Sequence, residues 1–242
     1  MIQKIDILAI GVHPDDVELS CVGTLLRHMA QGKTVGLLDL TRGELGTRGS
    51  AELRTIEANH SAKLMGASFR INLDMADGFF KNTKENQLKI IEILRASQPE
   101  IVLANALDDR HPDHGRAAKL VHDACFLSGL VKIPTKDKMG QIQGRWRPKA
   151  VYHYIQDQQL NPDFVVDITP FIEQKMECIL SYKSQFFDPN NTSELSSPIS
   201  GEDFLEFVKA KGRAFGRPIG VTYAEGFNVA RTLGVNDLFD LL

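Results

Sequence analysis

The chain has 242 residues, of which 43% are hydrophobic and 24% charged, and these values argue against a disordered protein. Its 28 basic and 31 acidic residues give a net charge of −3, which argues against nucleic-acid binding through phosphate neutralisation. No apolar run approaches the roughly 18 residues of a membrane span, and a secretory signal pattern is absent at the start, so we expect no membrane partner. Three widely spaced cysteines favour the cytoplasm.

The first 130 residues alternate strand-like and helix-like patterns. Strands are expected at 4–11, 34–40, 69–73 and 100–105, and helices at 22–29, 51–65, 85–96 and from about 112 to 124. Strands that alternate with helices form βαβ units. The pattern therefore predicts a Rossmann-like α/β fold, with a mainly parallel sheet and helices on both faces.

The second half of the chain is less regular. Strands are expected at 149–154, 164–168 and 220–223, helices at 171–182 and 204–215, and irregular segments at 132–147 and 186–201. Neither an internal repeat nor an interdomain linker stands out in the sequence. We therefore expect a single domain spanning residues 1–242.

Two clusters of histidine and aspartate follow predicted strands. His13-Pro14-Asp15-Asp16 comes directly after the first strand, and Arg110-His111-Pro112-Asp113-His114 comes after the fourth. Open parallel sheets bind ligands at the carboxyl ends of their strands, so the clusters are expected to meet despite about a hundred intervening residues.

Imidazole and carboxylate are ligands for zinc and similar divalent ions, and a catalytic site has three such ligands with one position open. A carboxylate beside the metal can act as a general base. Each cluster also has an ordinary structural interpretation: Asp15 and Asp16 as helix N-caps, and His111 and His114 as surface residues. The recurrence of both clusters at strand ends favours the metal site.

These residues resemble a known family. His13-Pro14-Asp15-Asp16 and His111-Pro112-Asp113-His114 are similar to the paired motifs of the PIG-L/LmbE-type zinc N-deacetylases, which hydrolyse the acetamide of N-acetylglucosamine conjugates. Further similarity runs from about residue 4 to 230 and includes 39–49, 52–54, 57–58, 181–186 and 223–227. That set is similar to the bacillithiol-pathway branch, which deacetylates N-acetylglucosaminyl-malate. The chain departs from the family pattern at Val12, where alanine is usual.

The resemblance implies roles for the clustered residues. Asp15 would be the general base, and His111, oriented by Asp113, would stabilise the tetrahedral intermediate or protonate the leaving amine. The metal would be Zn²⁺, with another divalent ion such as Fe²⁺ as the alternative. The implied metal ligands are His13, Asp16 and His114. Some relatives use a tyrosine at the oxyanion, and the candidates are Tyr152, Tyr154 and Tyr223. The resemblance also implies a homo-oligomer.

A malate aglycone carries two carboxylates, which guanidinium groups bind in a bidentate manner. We therefore expect a small anionic glycoside as substrate. The residues assigned to it are Arg48, Arg54, Arg110 and Glu44, although Glu44 could instead pair with an arginine. Two alternatives remain at this stage. The enzyme could act on another N-acetylglucosamine conjugate, such as an inositol glycoside or an N-acetylated oligosaccharide, or the chain could be a non-catalytic Rossmann-like binding protein.

Overall fold

The computed structural model describes residues 2–190 and 195–241. The strands are β1 (Ile7–Gly11), β2 (Val35–Thr41), β3 (Phe69–Met75), β4 (Ile101–Ala104), β5 (Ala150–Tyr154), β6 (Phe164–Asp167) and β7 (Ala224–Val229). The α-helices are α1 (Asp16–Ser20), α2 (Val22–Ala30), α3 (Ala51–Met65), α4 (Lys84–Ser97), α5 (Pro112–Leu127), α6 (Ile172–Leu180) and α7 (Glu202–Gly216). None of the described helices is both long enough and apolar enough to cross a membrane.

The seven strands form one sheet in the order β3-β2-β1-β4-β5-β7-β6. Strands β1 to β5 pair in parallel, whereas β7 runs antiparallel to both β5 and β6. The prediction of a mainly parallel α/β sheet is therefore confirmed. The chain order reverses at β1, which lies between β2 and β4, and such a reversal opens a crevice at the carboxyl ends of the two central strands.

Alternate side chains of β1 pack on opposite faces of the sheet. Leu8 and Ile10 belong to the hydrophobic core that contains the apolar faces of α4 and α5. Ile7 and Ala9 belong to a second core, which contains residues of α2 and α3. Every residue of β1 is buried, as expected for a strand covered on both faces, and this burial fixes the position from which the first His/Asp cluster departs.

Capping residues determine where the helix that carries the second cluster begins. His111 is the N-cap residue of α5, and its ring Nδ1 accepts a hydrogen bond from the Asp113 amide. Pro112 occupies the first turn, where its missing N–H costs nothing. The helix therefore starts immediately at the carboxyl edge of the sheet and presents Asp113 and His114 there.

Two expectations about elements were wrong. The strand expected at 220–223 starts later, at Ala224, because Gly220 adopts a left-handed turn with φ +73° that ends a short 3-10 helix. The short helix α1 was not predicted, since five residues are too few to show a helical period. The segment 132–147 lacks a regular strand or helix, as expected, and carries one isolated bridge between Lys136 and Ile142.

Candidate active site

The two His/Asp clusters meet in a cleft at the carboxyl ends of β1 and β4. The cleft has a volume of about 310 Å³, within the range of small-molecule sites. His13, Asp15 and Asp16 from the first cluster line it together with His111 and His114 from the second. The loop after β2 and the helix α7 supply further walls. The long-range encounter expected from the sheet topology is therefore present.

Three donor atoms form a compact set in this cleft. Asp16 Oδ1 lies 3.4 Å from His114 Nε2 and 3.8 Å from His13 Nδ1. Ligand atoms arranged tetrahedrally around zinc at about 2.0–2.1 Å lie roughly 3.4 Å apart. All three side chains are buried. The spacing and the donor types therefore fit a divalent metal ion held by His13, Asp16 and His114.

A carboxylate holds the far nitrogen of each of the two imidazoles. His13 Nε2 lies 3.0 Å from Asp77 Oδ1, and His114 Nδ1 lies 2.5 Å from Asp109 Oδ2. Carboxylates in this position fix the ring orientation and the tautomer of metal-binding histidines. Sequence analysis missed both aspartates. Their signal was their position, since Asp77 follows β3 and Asp109 follows β4 at the same edge of the sheet.

The Asp16 carboxylate is held by neutral donors. Its Oδ2 accepts hydrogen bonds from the backbone amides of Val12 and His13, at 2.8 and 2.9 Å, and from the Asn105 side chain at 2.9 Å. Burial opposes ionisation, but the attraction of His114 and hydrogen bonds from both imidazoles hold the pKa of Asp16 well below its usual range. Asp16 is therefore an anion that faces the donor set, and it does not cap the helix.

The surroundings of the imidazoles favour a cation. Burial opposes the charged form, but Asp16 and Asp77 raise the pKa of His13 to about 10. Asp16 and Asp109 likewise raise the pKa of His114 to about 9. The same carboxylates would favour a divalent ion at this place. The combinations whose ligand atoms all lie within 4.8 Å of one another, among the described residues, are His13 with His111 and His114, and His13 with Asp77 and Asp113.

Asp15 lies beside this set in a strained backbone conformation. Its φ of 155° is unusual for a residue other than glycine, and its side chain makes no cap hydrogen bond to α1. Asp15 Oδ2 lies 3.5 Å from Arg54 Nη2. Burial raises the pKa of Asp15 to about 7, although Arg54 opposes the shift. A carboxyl group with that pKa exchanges a proton readily near neutral pH.

The chain is similar in sequence and structure to known proteins. The profile of the PIG-L family, described as GlcNAc-PI de-N-acetylase, matches residues 8–125. The structure of a conserved protein from Thermus thermophilus is 37% identical, superposes with a TM-score of 0.83, and is matched over 96% of this chain and 98% of that one. The chain belongs to the PIG-L/LmbE family of deacetylases.

Two curated relatives in the comparison differ in their chemistry. Diacetylchitobiose deacetylase from Thermococcus kodakarensis is 27% identical over 230 residues, which cover 91% of this chain and 81% of the relative. The 4-oxalmesaconate hydratase of Pseudomonas putida is 25% identical over 189 residues, which cover 71% of this chain and 70% of the relative. Membership of the family therefore does not by itself name a substrate.

His111 and Asp113 are in contact, as the second family motif implies, and the contact runs through the backbone of Asp113. The Asp113 amide donates to His111 Nδ1, at 3.3 Å. The Asp113 carboxylate instead accepts from the Gly78 amide at 2.8 Å and from Arg116 Nη1 at 2.7 Å. This arrangement arises because Asp113 lies in the first turn of α5 and is fully buried against the loop after β3.

The residues assigned to the substrate are placed differently from one another. Arg48 and Arg54 are buried and line the cleft, and so does Arg110, which is half-exposed at the rim and pairs with Asp157. Glu44 does not line it, because its Oε1 accepts a hydrogen bond from the Asp77 amide at 2.9 Å. Glu44 therefore supports the turn that carries Asp77, which corrects its assignment to the substrate.

The three candidate tyrosines do not line the cleft. Tyr154 is fully buried and its hydroxyl donates to the Ile10 carbonyl, which makes it a core residue. Tyr152 packs edge-on against Phe164, and Tyr223 lies under Arg213. Among the described residues that do line the cleft, His111 is a candidate donor to the oxyanion, because its ring lies 4.7 Å from that of His13.

Proposed function

We propose that this protein is a metal-dependent hydrolase that removes the acetyl group from N-acetylglucosaminyl-malate in bacillithiol biosynthesis. The observation that carries the proposal is the position of Asp15, a buried carboxyl group with a pKa near 7, beside the His13, Asp16 and His114 donor set. The malate aglycone rests on the resemblance of the 39–49 segment to the bacillithiol branch. The three buried, unpaired cysteines support a cytoplasmic location.

His13, Asp16 and His114 would hold the metal, which we propose to be Zn²⁺ with Fe²⁺ as the alternative. A divalent ion at such a site lowers the pKa of a water molecule to about 7 and polarises a carbonyl group. The contribution of the chain is the orientation of these ligands. Asp77 and Asp109 hold the two rings so that His13 Nδ1 and His114 Nε2 both face Asp16.

Asp15 would accept the proton of the attacking water and pass it to the amine that leaves. Its pKa near 7 suits both directions of transfer at neutral pH. Arg54 contacts Asp15 and also donates to the Gln185 side chain, which fixes the guanidinium in place. The left-handed backbone of Gly43, with φ +64°, leaves room for Arg54, because a side chain there would overlap the guanidinium.

His111 would stabilise the oxyanion of the tetrahedral intermediate as a neutral donor. Burial and the charges of His13 and His114 lower the pKa of His111, so the ring is neutral. Its Nδ1 accepts from the Asp113 amide, which leaves the proton on Nε2. An N–H group aimed at a developing oxyanion contributes about 10²–10³-fold to the rate.

Replacement of each of the two adjacent aspartates by asparagine tests this assignment. Asp15→Asn keeps the shape of the side chain but removes the proton acceptor, so it should retain metal and lower kcat by about 10²–10⁴-fold. Asp16→Asn should weaken metal binding instead, because it removes the anion from the donor set. Metal content and kcat are measured on both variants. Loss of metal in Asp15→Asn with full metal in Asp16→Asn would reverse the two roles.

A neutral acetylated oligosaccharide is the second candidate substrate, because the T. kodakarensis relative is named for diacetylchitobiose. One experiment distinguishes the two candidate substrates by comparing kcat/KM for N-acetylglucosaminyl-malate and for diacetylchitobiose. Preference for the malate conjugate supports the proposal. Preference for the disaccharide overturns the malate assignment and leaves the deacetylase chemistry standing. Activity on neither compound, in a metal-loaded protein, overturns both.

A further inference from the structure

Lys211 is a partly buried residue with a buried ammonium group, which the reaction scheme above does not use. It lies on α7 and lines the same cleft as His13 and Asp15. Its Nζ is shielded from solvent and has no hydrogen-bond acceptor among the described residues. The ring of Phe215, with its centroid 5.9 Å away, is the aromatic group that Nζ faces.

The other cations of the cleft already have protein acceptors. Lys175 Nζ donates to the Leu19 carbonyl at 2.8 Å and pairs with Glu225 at 2.7 Å. Arg48 donates to the Gln185 carbonyl, at 3.4 Å. Arg54 donates to the Gln185 side chain, and Arg110 pairs with Asp157. Lys211 differs from all of them, because its whole charged group is without an acceptor in the described part of the chain.

A buried ammonium group without a partner is costly in a folded protein. Burial lowers the pKa of Lys211 to about 8, and the carboxylates of Asp109 and Asp157 oppose this shift only at longer range, while Lys175 adds to it. Around Lys211 the cleft is apolar, since Phe207, Val208 and Phe215 of α7 also line it. An anionic oxygen of a ligand in this apolar part would supply the missing acceptor.

We propose that Lys211 is the residue that selects the anionic aglycone, by donating a hydrogen bond from Nζ to a carboxylate of the substrate. The proposal rests on the proposed function, because it assigns the aglycone end of the same site. It also places the aglycone against α7 and the acetamide against Asp15. Hydrogen bonds between charged groups in a closed site change affinity by about 10- to 150-fold.

The kinetic test compares Lys211→Met with the matched control Lys209→Met, a substitution on the same helix outside the cleft. We expect Lys211→Met to raise KM for N-acetylglucosaminyl-malate by about 10- to 150-fold, with a change of less than about 3-fold for methyl N-acetylglucosaminide. Lys211→Arg keeps the charge and should restore part of the preference. Equal losses on the two glycosides would overturn the proposal.

A binding measurement separates failure of this inference from failure of the proposed function. Titration of malate alone into the metal-loaded protein, followed by calorimetry, does not depend on hydrolysis. Wild type that binds malate, with loss of binding in Lys211→Met, supports the anion site even where the acetamide is not hydrolysed. Wild type that hydrolyses the malate conjugate, with unchanged KM in Lys211→Met, overturns the anion site and leaves the proposed function standing.

Thermal unfolding distinguishes a substrate-binding Lys211 from a lysine that stabilises the fold, because removal of the side chain changes Tm in opposite directions in the two cases. Removal of an unpartnered buried charge should stabilise the free protein, so Lys211→Met should have a higher Tm than wild type. Lys209→Met should have the Tm of wild type. A lower Tm for Lys211→Met, together with equal losses on both glycosides, would show that Lys211 holds α7 in place and does not bind substrate.

Discussion

Two buried charge clusters lie beside the same sheet and are balanced in different ways. The Arg70 cluster consists of Arg70 on β3, Glu18 on α1 and Asp39 on β2. Arg70 Nη1 donates to Glu18 at 2.6 Å, and Nε and Nη2 donate to Asp39 at 2.7 and 2.8 Å. The hydroxyl groups of Ser61 and Tyr182 also donate to Glu18. This cluster is supplied with a cation and with donors by the chain itself.

The charge of the Asp16 cluster, which is formed by Asp16, His13 and His114, is balanced differently. Among the described residues, no lysine or arginine donates to the Asp16 carboxylate, which accepts from backbone amides and from the amides of Asn105 and Gln156. Further carboxylates stand behind both imidazoles. Buried charges therefore have two different roles in this protein. A cluster with its own guanidinium holds the fold together, whereas a cluster rich in anions and neutral donors favours a cation that the chain does not supply.

The largest effect is expected when a ligand of the Asp16 cluster is removed. His114→Ala leaves two of the three proposed ligands, so metal content and deacetylase activity should both fall to background. His122→Ala is the matched control, because His122 is exposed on the same helix. Metal is measured by mass spectrometry on both variants, and activity by release of acetate. Full occupancy in His114→Ala would remove His114 from the ligand set.

A change in the Arg70 cluster should affect folding and leave the metal in place. Arg70→Met strands two buried carboxylates, and removal of one partner from a buried ion pair costs about 3–5 kcal/mol. Arg42→Met provides the contrast, because Arg42 pairs with the exposed Glu52 and such surface pairs contribute about 0–1 kcal/mol. Urea unfolding measures both costs. Similar costs in the two variants would mean that the guanidinium does not hold Glu18 and Asp39 together.

A smaller effect is expected at the carboxylates behind the ligands. Asp109→Asn weakens the hold on His114 Nδ1 and should lower metal affinity by about 10–100-fold without changing the ligand atoms. The neighbouring Asp108→Asn is the control, since Asp108 is exposed and its carboxylate accepts a hydrogen bond from the Gln158 side chain. Competition with a chelator gives both affinities. Unchanged affinity in Asp109→Asn would show that the ring is fixed by packing alone.

The difference between the two clusters also explains what the sequence could predict. The Asp16 cluster was predictable, because its members lie in two short motifs and a parallel sheet brings the carboxyl ends of β1 and β4 to one edge. The Arg70 cluster was not predicted, since its three members lie singly on three elements without a local pattern. Their meeting depends on the register of β2 against β3, in which Leu37 is paired with Arg70.

Isolated residues without a local pattern were also the ones missed or misassigned at the site. Asp77 and Asp109 were missed because each is a single aspartate in a turn, and such residues are common without a function. Glu44 was assigned to the substrate, whereas the fold of its loop turns its carboxylate towards the Asp77 amide. Lys211 gave no signal, because an isolated lysine on an amphipathic helix is ordinarily solvated, and only the packing of α7 over the cleft buries it.

Lys211 is a third case, a buried charge without a protein acceptor in the described structure. The smallest predicted effect is the dependence of its contribution to stability on pH. The pKa of Lys211 is lowered to about 8 from its ordinary 10.5, so between these values the unfolded chain binds a proton that the folded chain has released. The stability of wild type should therefore rise, relative to Lys211→Met, as pH increases from 8 to 10.5. The advantage of Lys211→Met is expected to be full below pH 8 and to shrink by an amount on the order of 1 kcal/mol, since the long side chain relaxes towards water. Urea unfolding of wild type, Lys211→Met and Lys209→Met at several pH values measures this gap. A gap for Lys211→Met that stays constant with pH would mean that Nζ keeps its proton in the folded protein and is not the unpartnered charge that the anion site requires.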